Sequence, residues 1–190
     1  IGMISIQSFI TPLNSVSAAF KRNRPLYAFR QVQPISGLIV SCFVEFSIKI
    51  VVIILAFIAL FLLKIPTQLD NALLLIVIYL ALWAFTFSLS CILGIITAYV
   101  PEVNKVTGLL TRPLFFISCT FFSLQDIPME YWHYLTWNPL VHFIELARFA
   151  CFKSYGDNGV SVEFALASSF TAFFFAVCLY HLTWKGILSR

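Results

Sequence analysis

Two acid–base pairs and one aromatic cluster carry most of the chemistry available to this chain. Glu45 and Lys49 stand four residues apart, and Gly37 and Ser41 precede them at the same spacing, so all four share one face of a helix. The pair sits well inside an apolar run, where an ionised group is costly unless it is paired or wet. Two readings follow: the face lines a water-filled or protein-filled interior, or Glu45 and Lys49 form a self-satisfied i,i+4 ion pair against a neighbouring helix. Under either reading the face points away from lipid. Glu145 and Arg148, at i,i+3, form a second pair, made within the chain or between subunits. Between the two pairs lie Tyr131, Trp132, Tyr134 and Trp137, bracketed by Pro128 and Pro139. Such a cluster is an aromatic belt at a membrane–water interface, or a platform on which sugar rings stack beside an exit.

Other residue types exclude more than they suggest. His133 and His142 are isolated and read as hydrogen-bonding belt residues, not metal ligands. The cysteines Cys42, Cys91, Cys119, Cys151 and Cys178 are scattered, with no CxxC, and read as buried thiols acting as small hydrophobes. The sequence has no GxxxxGK[ST] phosphate loop, no HExxH and no GxSxG. It therefore offers no site of its own for ATP or a metal, and no cluster of acids for work on lipid-linked sugars. Thr86, Ser90, Gly94 and Ala98 make a stripe of small residues, suited to close helix packing within one subunit or across a dimer seam. Residues 21–34 mix Lys21, Arg22, Arg24 and Arg30 with Pro25, Tyr27, Phe29 and Pro34. This segment is a topogenic basic loop lying on anionic headgroups, or a short cytoplasmic interfacial helix that docks a partner.

The elements that position these residues are membrane spans. The chain is 190 residues long, 61% hydrophobic and 11% charged, against about 25% charged residues in an ordinary soluble domain. It is expected to be an all-α polytopic membrane protein of one domain, with helical spans because backbone groups in lipid must satisfy one another. Spans are predicted at 35–63, 71–100, 106–122 and 164–183, with 1–20 the remnant of a span that began upstream. The first residue is Ile1 and no basic n-region precedes the apolar run, so 1–20 does not read as a signal peptide, and the natural N-terminus is expected to be missing. Residues 123–163 are too polar to cross lipid and too apolar for an ordinary loop. Lysine and arginine bias places 21–34, 101–105 and 184–190 in the cytoplasm and the aromatic segment outside.

Several motifs match a known family. RPLFFIS (112–118), FFSLQDIP (121–128) and YWHYLTWNPLVHFIELAR (131–148) resemble the C-terminal half of ABC-2 type exporter permeases, the capsular-polysaccharide branch in particular. PEVNKV (101–106) also fits, and YAFRQVQP (27–34) is similar to the cytoplasmic junction after the family's second span. The resemblance implies an ABC-2 exporter transmembrane domain with re-entrant extracytoplasmic helices, in a multi-pass protein of the bacterial inner membrane. It implies a homodimer paired with two copies of a separate ABC ATPase that binds the ATP, working beside periplasmic or outer-membrane export components. The implied load is a lipid-linked capsular polysaccharide; no nucleic acid is involved. Carried onto this sequence, 21–34 becomes the coupling region, with Arg22, Arg24, Tyr27, Phe29 and Arg30 meeting the ATPase, and 123–153 becomes the exit helices. Glu45, Lys49, Tyr131, Trp132, Tyr134, Trp137, Glu145 and Arg148 are the expected residues of the path and exit. Alternatives are an ABC-2 permease for O-antigen, teichoic acid or a drug, and a membrane enzyme or scaffold of glycan assembly. The family's N-terminal amphipathic helix, first span and part of the second have no counterpart in this sequence.

Overall fold

The computed structural model describes residues 1–23, 34–64, 71–152, 156 and 158–188. All regular structure among them is helical: α1 (Gly2–Ser17), α2 (Ala19–Arg22), α3 (Pro34–Leu62), α4 (Ala72–Tyr99), α5 (Val103–Ile117), α6 (Trp132–Leu135), α7 (Pro139–Cys151) and α8 (Val162–Leu188). Two 3-10 turns, Leu124–Asp126 and Met129–Tyr131, join α5 to α6. Three helices are long and apolar enough to cross a membrane: Ile35–Leu62, Ala72–Tyr99 and Val162–Trp184. They coincide with three of the four predicted spans, 35–63, 71–100 and 164–183.

Helix α4 is the axis of the bundle, with α8, α1 and α7 packed around it. The main core joins Ile6, Phe9 and Leu13 of α1 to Ile78, Leu82 and Phe85 of α4, and to Phe143, Ile144 and Ala147 of α7. Ser169 of α8 donates to the Ala81 carbonyl of α4 at 3.0 Å, a hydroxyl bridge between spans where no water competes. Thr86, Ser90 and Gly94 are buried within this chain, while Ala98 is exposed, so most of the small-residue stripe serves packing inside the subunit. Helix α3 touches the bundle along one side and leaves Ile39, Val40, Phe43, Val44 and Ile48 exposed, as a lipid-facing span does.

Helix α5 is shorter than the predicted 106–122 span. Its 15 residues rise about 22 Å, less than the roughly 30 Å of a hydrocarbon core. It stops because the chain turns at Ser118–Thr120, where Cys119 adopts φ 53°, an unusual conformation for a residue with a Cβ. Tertiary contacts from α7 hold that turn.

Candidate functional site

The extracytoplasmic segment of the sequence reading folds around α7. Pro139 occupies the first turn, where its missing N–H costs nothing, and the Asn138 side chain accepts from Leu140 N at 3.0 Å to cap the helix. Asn138 also donates to Ser118 Oγ at 3.2 Å, tying the cap to the end of α5. Helix α7 is buried on every side, including His142, Glu145 and Arg148. A charged pair at that depth is tolerable only if every polar atom finds a partner.

Both carboxylate oxygens of Glu145 and both terminal nitrogens of Arg148 meet that demand. Arg148 Nη1 donates to Glu145 Oε1 at 2.6 Å, so the pair closes within the chain. The same guanidinium donates to the carbonyls of Phe122 at 2.9 Å and Thr120 at 2.6 Å. Glu145 accepts from Leu124 N at 3.0 Å and Ser123 Oγ at 3.1 Å. Two side chains of α7 thus grip four of the five residues 120–124 and fix the turn that ends α5. The start of α1 joins this knot. A Cβ at Gly2 would lie 2.5 Å from Arg148 Nη2 and 2.7 Å from Thr120 O, so only glycine fits there.

His142 makes a second tie. Ser161 N donates to its Nδ1 at 3.0 Å, so that nitrogen carries no proton, and Nε2–H donates to Thr136 O at 2.9 Å. Burial holds its pKa below the usual 6.5, against smaller upward effects from the two backbone bonds. The neutral ring bridges α6 to the start of α8, with both nitrogens engaged by backbone groups. Among the described residues no group of three potential ligands gathers.

The aromatic cluster divides in two. Trp132 turns inward: its Nε1 donates to Ile127 O at 2.9 Å, and its ring lies where a Cβ on Gly159 (φ 82°) would intrude. Tyr131, Tyr134 and Trp137 point outward, Trp137 at 84% exposure. The clamp therefore presents three rings on a fixed frame. Spacing alone could not separate Trp132 from Trp137; the signal was Gly159, which permits both the positive φ and the ring contact.

Glu45 and Lys49 form no ion pair among the described residues. Lys49 is buried and reaches across to α1, where its Nζ donates to Thr11 Oγ1 at 3.3 Å. Glu45 is half-buried one turn away. A turn further down, Arg22 donates to Ser41 Oγ at 3.0 Å. With Gln7 and Thr11 exposed on α1, these residues make a polar seam between α1 and α3 that runs from the end of α2 to the middle of a span. Arg24, Tyr27, Phe29 and Arg30 lie outside the described residues.

The family model for the ABC-2 type transporter matches residues 1–152. Two Escherichia coli proteins, each named polysialic acid transport protein KpsM, are 33% identical to the chain over 192 residues; the match takes in 99% of this chain and 73% of each relative. An all-helical bundle with apolar spans and these matches agree: the chain belongs to the ABC-2 type transporter family.

Proposed function

We propose that this chain is the permease subunit of an exporter that carries an acidic capsular polysaccharide out across the inner membrane. As an ABC-2 family member it is a multi-pass inner-membrane transport subunit that works with an ABC ATPase. The observation that carries the polysaccharide reading is the rigid aromatic face: Tyr131, Tyr134 and Trp137 stand exposed on a frame held by the Glu145–Arg148 knot. Flat rings standing open on an ordered backbone stack on sugar faces. The names of the two relatives agree with that chemistry.

In this reading two copies of the chain face each other and enclose the conduit. Residues 21–34 receive the stroke of the ATPase. The α1–α3 seam, with Glu45 and Lys49, keeps a hydrated face beside the path, because polar groups at that depth are stable only against water or polar protein. Glu145 and Arg148 act as positioning residues of the exit, and Trp132 locks its hairpin. Periplasmic components receive the polymer at the aromatic face.

The test uses the chain and its ATPase in proteoliposomes, with polysialic acid uptake as the readout. Trp137→Ala is expected to lower transport several-fold while leaving the thermal midpoint of the purified protein unchanged, since its ring buries little. Transport equal to wild type would reduce Trp137 to an interfacial anchor and remove the main support for a glycan load.

A further inference from the structure

Helix α5 has two unlike faces. Thr107, Leu110, Thr111 and Leu114, at i, i+3, i+4 and i+7, look toward the bundle. They form one wall of an apolar groove of about 470 Å³ whose other wall comes from α1 and α4. Lys105, Gly108, Arg112 and Phe116 share the opposite face, and all four are exposed. A Cβ built on Gly108 meets nothing within 4 Å, so this face is open.

Arg112 is out of place on a lipid-facing surface. The tight turn at Val100–Val103 leads from α4 into α5, and Leu110 and Leu114 line the groove together with Leu89 and Leu93. Arg112, nine residues after Val103, therefore stands about 14 Å along α5 from that turn, which the basic loops of the sequence put on the cytoplasmic side. Among the described residues it has neither an ion pair nor a hydrogen bond. A guanidinium at that level needs an anion or water as its neighbour. Lys105 stands two turns below on the same face, and the one acid near them, Glu102, precedes the helix at its cytoplasmic end.

We infer that the outward face of α5 lines the conduit, and that Arg112, with Lys105 below it, binds the carboxylates of an acidic glycan in transit. The inference rests on the polysaccharide reading above and names the substrate chemistry that α5 selects. Arg112 offers a planar fork that matches a carboxylate. Two cations spaced along one face hand the chain from one to the next. Above them Phe116 lies tilted against Phe121, with centroids 6.1 Å apart, and passes the path to the aromatic exit.

The experiment uses the complete transporter, chain plus ATPase, in nanodiscs. Its readout is the half-saturating concentration at which a polysialic acid oligomer stimulates ATP hydrolysis, beside the same oligomer with its carboxyls reduced to alcohols. Arg112→Gln is expected to raise the half-saturation for the acidic oligomer about tenfold, the loss of one charge-assisted bond. Arg112→Lys is expected to stay within about threefold of wild type, with the maximal rate unchanged in both. The reduced oligomer should respond alike in all three. Unchanged half-saturation in Arg112→Gln, or equal weakening toward both oligomers, overturns the assignment. If neither oligomer stimulates the wild type, the glycan reading itself fails. Should Arg112→Gln not assemble, half-saturation of the wild type for the acidic oligomer must rise with ionic strength; independence from salt overturns the proposal.

Discussion

Glu145–Arg148 and Glu45–Lys49 present the same pattern, an acid and then a base on one face of a helix in apolar surroundings, and they end in opposite states. The first pair closes at 2.6 Å and is nearly sealed from solvent. The second stays open, and its lysine bonds a threonine on another helix. Helical spacing is not the cause, since i,i+4 with the acid first is a favourable arrangement. The surroundings decide. The turn 120–124 offers two carbonyls to Arg148 and two donors to Glu145, enough to offset the cost of dehydrating both charges. Along α3 no such turn is found among the described residues, and Lys49 bonds the Thr11 hydroxyl. A pair completed by backbone is a structural joint. A pair left open beside exposed polar groups is suited to a hydrated face.

The comparison can be broken most forcefully at the joint. Arg148→Met is expected to destabilise the folded protein by about 3–5 kcal/mol, because Glu145 is left buried and unpaired. The double variant Glu145→Gln with Arg148→Met should recover part of that loss. Thermal unfolding in detergent measures both, and a single variant as stable as wild type would mean that the clamp does not hold the exit. Acid provides a gentler probe of the same region. His142 has a folded pKa lowered by burial, so the unfolded chain binds its proton first as pH falls. Its contribution is fully present above pH 6.5 and is lost as pH drops from there through the lowered folded value. His142→Gln should flatten that part of the stability–pH curve; an unaltered slope would assign the acid sensitivity to other groups. The smallest effect is expected at Lys49→Met, within about 1 kcal/mol, since only one long hydrogen bond to a neutral hydroxyl is lost. A loss as large as that of Arg148→Met would erase the contrast between the two pairs.

Much of the architecture was legible in the chain. Runs of 20 or more apolar residues gave α3, α4 and α8. The motifs around Trp137 and Arg148 gave the family. What stayed hidden depends on contacts distant in sequence. The end of α5 is set by Arg148 gripping Thr120 and Phe122, and no local signal within 106–122 announces it. The roles of Trp132 and Trp137 are indistinguishable by composition; Gly159, 27 and 22 positions away, decides which one turns in. The partner of Lys49 lies on α1, so the periodicity of α3 could show the polar face but not what completes it.

Gly2 joins these two halves of the molecule in one further way. Its missing side chain lets the head of α1 rest directly on Arg148 and the Thr120 carbonyl, while the other end of the same helix runs into α2 and Arg22. A helix in contact at both ends behaves as a push-rod. Any tug delivered to the α2 end of α1 meets the knot at Arg148 with no soft segment between them but the bend available at Pro12.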